Sequence, residues 1–304
     1  MPFPDFDPVL IHLGPLPIRW YALAYVAGIV GGWWYAGVLI KRAALWAPRR
    51  PPISTPQLDD LVLYVTLGII LGGRLGYALF YKPIMYAQLV SLHAVPMGER
   101  LELFQLWTGG MSFHGGLIGC TIAVLWFAWK NTLPTLSVGD MALSVAPIGL
   151  FFGRVANFIN GELWGRETGV PWAINFCNAR AREAYGQTCT YMGSGPGDVA
   201  RHPSQLYEAG LEGLVLFVIL ALAAWRFRLL SKPGYVTGLF LIGYGLIRAS
   251  LENVRQPDFG LDHLPFGLTM GMILSMPMIL IGAWLIWRAW HAAPVASAPE
   301  TAEA

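Results

Sequence analysis

Apolar residues run in long blocks along this chain, and the polar residues collect in short stretches between them. A helix needs about 20 apolar residues to cross a bilayer core. Blocks of that kind lie near residues 20–40, 60–80, 112–129, 137–159, 206–225, 236–254 and 267–288. They are far longer than barrel strands, and an open sheet edge does not survive in hydrocarbon, so the pattern predicts helices. The expected fold is all-α and membrane-integral, with seven transmembrane helices. The stretch 160–205, between the fourth and fifth blocks, is long enough for a small external head, and GSGPGD at 193–198 reads as a turn within it. One polytopic catalytic domain is expected over 1–291, followed by a disordered Ala/Pro/Glu-rich tail over 292–304.

Orientation follows from the lysines and arginines of the short connections. Lys41, Arg42, Arg49, Arg50, Lys130, Arg226, Arg228, Lys232 and Arg288 all follow odd-numbered blocks. The opposite side holds Arg19, Lys82, Arg100 and Arg255. This asymmetry predicts a periplasmic N-terminus and external head, and a cytoplasmic C-terminus. The opening MPFPDFDPVLIHLGPLPIRW has neither a basic n-region nor an unbroken apolar h-region, so the first block is expected to act as the targeting signal.

Composition narrows the chemistry. The chain has 304 residues, of which 55% are hydrophobic and 12% charged. Its mean hydropathy is +0.51. A net charge of +2, without a basic tract, gives no footprint for nucleic acid. The six histidines form no HExxH pair, and the three cysteines do not cluster as metal ligands. GxSxG, Walker A and GxGxxG motifs are absent, so neither metal nor nucleotide cofactor is expected.

Against this apolar background the charged positions stand out. GRVANFINGELWGR at 153–166 places Arg154, Asn157, Asn160, Glu162 and Arg166 at the end of an apolar run. A charge within a span costs roughly 2.5–3.5 kcal/mol on insertion scales and ordinarily faces a partner or a polar cavity. Asn157 and Gly161 share the helical face of Arg154 and no carboxylate does, so an unpaired guanidinium there suggests a bound anion. Arg74 is a further charge inside a block. Arg248 and Glu252 are spaced i, i+4: they either pair within one helix or contribute to a site. His114, in GGMSFHGG, is either a polar anchor at a helix start or a proton acceptor with room for a ligand beside its glycines. Tyr244, one turn from Arg248, and Tyr21, just inside the first block, also fit an interfacial aromatic belt. In RHPSQLYE at 201–208, His202 and Glu208 are available as polar anchors.

These stretches, FPDFDPV, GGRLGYALFY, GGMSFHGGLIG, GRVANFINGELWGR, RHPSQLYE, FLIGYGLIRASLENVRQPD and LTMGMILSMPM, resemble the bacterial prolipoprotein diacylglyceryl transferases over most of the chain. The resemblance implies transfer of a diacylglyceryl group from phosphatidylglycerol to the lipobox cysteine of a prolipoprotein, at the outer face of the inner membrane. It implies importance for His114, Arg154, Asn157, Gly165, Tyr244 and Arg248, with Tyr21, Glu162 and Glu252 in support. Arg19 stands before Trp20 where the family commonly has histidine, so no role is carried over to position 19.

The reaction requires a thiol to lose its proton, attack the glycerol carbon bearing the phosphate and expel glycerol phosphate. His114 is expected as general base, with Tyr244 the alternative. Arg154 and Arg248 are expected on the phosphate, because a guanidinium forks onto phosphate oxygens and keeps its charge in apolar surroundings. Asn157, Glu162 and Tyr244 are available to the glycerol hydroxyls. Two rival readings are another membrane-embedded phospholipid transferase or acyltransferase, and a lipid transporter; the transporter predicts related halves, which the sequence lacks. Cys177 and Cys189 are expected to form a disulfide in the external head, the alternative being two free thiols, while Cys120 packs as a small hydrophobe.

Overall fold

The computed structural model describes residues 1–4, 6–14, 16–86, 102–105, 110–176, 199–256 and 268–292. The expected Cys177–Cys189 bond, the turn at 193–198 and the tail past residue 292 lie outside the described residues. Cys120 is a half-buried free thiol.

Helices account for most of the described chain: α1 (Trp20–Ile40), α2 (Thr55–Phe80), α3 (Phe113–Lys130), α4 (Thr135–Ile159), α5 (Ser204–Trp225), α6 (Tyr235–Leu251) and α7 (Met270–His291). All of these except α6 are long and apolar enough to cross a membrane, which makes six candidate spans. Their outward faces are apolar, as lipid contact requires, with Trp34 at 65% exposure and Leu280 at 68%. Helix α6 has 17 residues and stops short of the apolar block that announced it. It stops because the following turn is occupied by strand-like pairing, in which Arg166 N donates to Val254 O at 2.8 Å and Gly165 bridges Arg255.

Short strands accompany the helices outside the apolar spans. Strands β1 (Val9–Leu13) and β2 (Leu16–Arg19) pair antiparallel, with Gly14 in the left-handed conformation between them. Strands β3 (Ile174–Asn175) and β4 (Ala200–Arg201) form a second antiparallel pair. The backbone of Phe3 donates to Asn175 O at 3.1 Å. Phe3, Trp164, Ile174 and Phe176, with Phe158 against them, form a small aromatic core over the end of α4. An isolated two-stranded ribbon is marginal in water, so this apolar cluster carries much of the stability of the second pair.

The described chain divides into two compact units, Met1–Pro51 with Asp140–Ala304, and Pro52–Gly139. In the first unit, Asp140 of α4 caps the start of α6, accepting from the backbone N–H groups of Gly234 and Thr237 at 2.7 Å each. A buried carboxylate on the orphan donors of a helix N-terminus satisfies both partners. Helix α5 opens in α-conformation over Ser204–Glu208, widens into a π-helix over Ala209–Val215 and returns to α over Leu216–Trp225. Gly213 in the widened turn lies flat on α4, where a Cβ would stand 2.7 Å from that of Phe151.

In the second unit, α2 begins with a capping box: the Ser54 hydroxyl accepts from Gln57 N, and the Gln57 side chain accepts from Ser54 N at 2.9 Å. Helices α2 and α3 meet through glycines. A Cβ on Gly76 would lie 2.7 Å from Gly115 Cα, and one on Gly72 would lie 2.8 Å from Gly119 Cα. Small residues on both helices allow the backbone approach on which helix association in lipid depends.

Candidate active site

The charged centre of the first unit is built from α4, α5 and α6. Glu208 and Glu212 are four residues apart on α5, both without solvent exposure. Oε2 of Glu208 meets Arg154 Nη1 at 3.0 Å, while its Oε1 accepts from Nη1 of Arg248 and of Arg255 at 3.1 Å each. Oε2 of Glu212 accepts from Arg154 Nε at 3.3 Å and Nη2 at 3.2 Å. Arg248 Nη2 completes the array by meeting Glu252 Oε1 at 2.6 Å. Three guanidinium groups and three carboxylates are thus interleaved, and each charge is compensated by direct contact, which a buried ion requires.

The expectation that Arg154 stands unpaired is overturned by this arrangement. The one carboxylate of α4, Asp140, stands fourteen residues away near the other end of the helix, but two carboxylates reach Arg154 from α5. The Arg248–Glu252 pair does form within its helix, and Arg248 nonetheless retains a second carboxylate partner in Glu208. The i, i+4 alternatives were therefore not exclusive. The widened turn at Ala209–Val215 begins immediately after Glu208 and contains Glu212. A π segment is rare and commonly marks a functional site; here it coincides with the two carboxylates that hold one guanidinium.

Beside the ion cluster runs a hydrogen-bonded row around Glu162. Asn157, 4% exposed, donates from Nδ2 to Tyr21 Oη at 3.1 Å and to Glu162 Oε1 at 3.0 Å. Asn160 Nδ2 adds a bond of 3.3 Å to the same Glu162 oxygen. Gln205 Nε2 holds the Glu162 carbonyl at 2.6 Å, and the Ser204 hydroxyl donates to Leu163 O at 2.9 Å, so the loop leaving α4 is tied to the start of α5. Tyr244 is stacked on Phe240, with ring centroids 5.7 Å apart. It lies within electrostatic reach of Glu212, Arg154, Arg248 and Glu208.

Gly165 has a packing reason for its identity. Its N–H donates to His202 O at 2.9 Å, and a Cβ there would stand 2.6 Å from that of His202 and against Val254 O. The close approach at Gly165 is to protein backbone. His202 Nδ1 lies 3.2 Å from Tyr207 Oη, which also accepts from Trp172 Nε1 at 2.6 Å.

His114 belongs to the second unit, exposed in the first turn of α3, with its ring edge-on to Phe113 at 5.7 Å. Ser112 caps that turn by accepting from Gly115 N at 3.2 Å. Arg74, in the same unit, is 4% exposed and donates from Nε to Leu103 O and from Nη1 to Gly110 O, at 3.0 Å each. Both bonds reach carbonyls in the connection between α2 and α3.

Of the residues singled out from the sequence, Tyr21, Arg154, Asn157, Glu162, Gly165, Tyr244, Arg248 and Glu252 fall in the first unit and His114 in the second. Sequence reasoning does not single out Glu212 or Arg255 for the site, and it offers Glu208 only as a polar anchor. The available signal was two carboxylates one turn apart, LYEAGLEGL, at the head of an otherwise apolar block.

These features define a polytopic helical membrane protein with an ion-paired centre among its spans. A family model described as prolipoprotein diacylglyceryl transferase matches residues 8–288. A protein of Phenylobacterium zucineum named phosphatidylglycerol–prolipoprotein diacylglyceryl transferase is 57% identical over 288 residues, covering 95% of this chain and 94% of its own. Proteins of the same name from Caulobacter sp. strain K31 and Rhodopseudomonas palustris are 51% and 50% identical, covering 95% and 98% of this chain and 95% and 96% of their own. The chain belongs to the prolipoprotein diacylglyceryl transferase family, and it is a transferase.

Proposed function

We propose that this protein moves the diacylglyceryl group of phosphatidylglycerol onto the lipobox cysteine thiol of prolipoproteins, the first step of lipoprotein maturation. The thiolate attacks the glycerol carbon that carries the phosphate, a C–S bond forms, the C–O bond breaks, and glycerol phosphate leaves. The observation that carries this reading is the sharing of Glu208 by Arg154 and Arg248. Two guanidinium groups held on the two oxygens of one carboxylate are spaced for a single small oxyanion, and they are preorganised before any lipid arrives. Bidentate donors of permanent charge suit the phosphate and its leaving oxygen. Asn157, Tyr21 and Glu162 supply neutral and acidic partners for the headgroup glycerol hydroxyls, and Tyr244 and Glu252 flank the arginines. The apolar helix exteriors leave the acyl chains in lipid. Purified protein with phosphatidylglycerol and a lipobox peptide is expected to yield a thioether-linked diacylglyceryl peptide by mass; release of a lysolipid or fatty acid instead would refute the assignment.

For the thiol proton the proposed base is His114, an exposed imidazole between glycines. His114→Gln is expected to lower turnover by about 10²–10⁴ with phosphatidylglycerol binding retained. A collapse of binding together with turnover would make it a headgroup anchor and move the base to Tyr244.

We further propose seven crossings, counting α6, in the bacterial inner membrane, with the N-terminus periplasmic and the C-terminus cytoplasmic. In a variant lacking the three native cysteines, Gly169→Cys, at an exposed position with open space around it, is expected to react with an impermeant thiol reagent applied to spheroplasts. Arg49→Cys is expected to stay unlabelled until the membrane is opened. The reverse pattern would invert the topology.

A further inference from the structure

The charge balance of the ion cluster singles out one member. Arg154, Arg248 and Arg255 face Glu208, Glu212 and Glu252, so the contacts among these six groups compensate one another. A phosphodiester entering beside Arg154 brings one further negative charge into a region of low dielectric, where uncompensated charge is costly. The three carboxylates are not equally able to absorb the difference. Glu208 uses both oxygens on three guanidinium groups. Glu252 keeps its 2.6 Å bond to Arg248 on its own helix. Glu212 has one oxygen on Arg154, while its buried Oε1 has no hydrogen-bond partner among the described residues. Among the described residues, the charged and titratable groups around it are Arg154 of α4, Glu208 of its own helix, and Arg248 and Tyr244 of α6.

We propose that Glu212 is the exchangeable partner of Arg154: the incoming phosphodiester takes over the guanidinium, and Glu212, buried in the lipid-free protein, takes up a proton of bulk origin on its unpartnered oxygen as the lipid enters. This rests on the reading that phosphatidylglycerol binds at Arg154. The step balances, because one phosphodiester monoanion and one proton enter and one carboxylate becomes a neutral acid. When the C–O bond breaks, the leaving phosphate gains a second negative charge. The neutral Glu212 then holds a proton for it, and on giving it up regains its ion pair with Arg154 as the product is expelled. Glu212 is on this account a positioning residue that couples lipid binding to a proton. The widened turn of α5 places it opposite Arg154 without exposing it to water.

The test is calorimetric titration of the purified protein with short-chain phosphatidylglycerol in two buffers of different ionisation enthalpy, at several pH values. Wild type is expected to take up close to one proton per lipid, and its affinity to fall about tenfold per pH unit above neutrality. Glu212→Gln is expected to bind with no proton uptake and a flat pH profile. Titration with glycerophosphoglycerol, the deacylated phosphodiester, separates the headgroup from the whole lipid as the source of the anion, and is expected to show the same proton uptake at lower affinity. Infrared difference spectra add a readout that does not depend on the glutamine variant folding. A protonated-carboxyl band is expected to appear on lipid binding, to shift in Glu212→Asp and to stay in place in Glu252→Asp. Lipid binding by wild type without proton uptake, or equal uptake by Glu212→Gln, overturns the proposal while leaving the lipid site standing. Absence of lipid binding by wild type overturns both.

Discussion

Arg154→Lys is expected to reduce diacylglyceryl transfer by about 10²–10³-fold, the loss typical of removing one preorganised donor from a developing oxyanion, in protein that still inserts and remains monodisperse in mild detergent. Lysine keeps the charge and most of the length. It replaces a planar fork of three nitrogens, bonded to carboxylates on two sides, with one ammonium that cannot span Glu208, Glu212 and a phosphate together. The comparison that gives the result meaning is between kcat and KM. A fall in kcat with binding largely kept places the guanidinium at the reacting phosphate, whereas a rise in KM alone makes it a binding contact. Near-wild-type turnover would remove Arg154 from the chemistry and leave it as an interhelical tie.

Glu208→Ala is expected to have the largest effect on stability. Its carboxylate contacts three arginines and is wholly buried, so truncation takes one carboxylate partner from each of Arg154, Arg248 and Arg255 and leaves the buried cluster one negative charge short. Breaking a buried pair by removing one partner costs about 3–5 kcal/mol, a large share of the roughly 5–15 kcal/mol that holds a typical protein folded. Thermal unfolding in detergent, followed by size-exclusion fluorescence, should show a much lower midpoint and loss of the monodisperse peak. Glu208→Gln, which keeps the shape but has one acceptor oxygen in place of two, should fall between wild type and alanine. An alanine variant melting within a degree or two of wild type would mean that the cluster does not hold these helices together.

Much of this architecture was legible in the sequence, and what was hidden has a common cause. Apolar block length located the helices because the bilayer imposes it on each segment separately. Arg154, Arg248 and Asn157 could be singled out because charge and amide in an apolar block are costly wherever they end up. Pairing across helices is different in kind: Arg154 meets Glu208 and Glu212 from a segment fifty-odd residues away, and helical spacing along α4 says nothing about what α5 presents. The π segment was equally invisible, since AGLEGLV satisfies an ordinary helical pattern. Residues 9–19 were missed as strands because they are few and adjoin an apolar helix, although the glycine between two short apolar runs was a turn signal. The short α6 followed from backbone pairing at Val254 and Arg255, which composition does not encode.

The cap of α6 by Asp140 has a mechanical consequence. Asp140 and Arg154 stand on the same helix, separated by about 21 Å at 1.5 Å per residue. Asp140 grips the first turn of α6 by two backbone bonds, and Arg154 reaches its last turn through Glu208 and Arg248. A rod pinned to its neighbour near both ends can neither slide along it by a helical turn nor roll about its own axis without releasing one of the pins. If the lipid binds at the arginines as proposed, its entry is accommodated by bending, by rotamer changes or by segments outside this pair, and a rigid ratchet of α4 against α6 is excluded while both attachments hold.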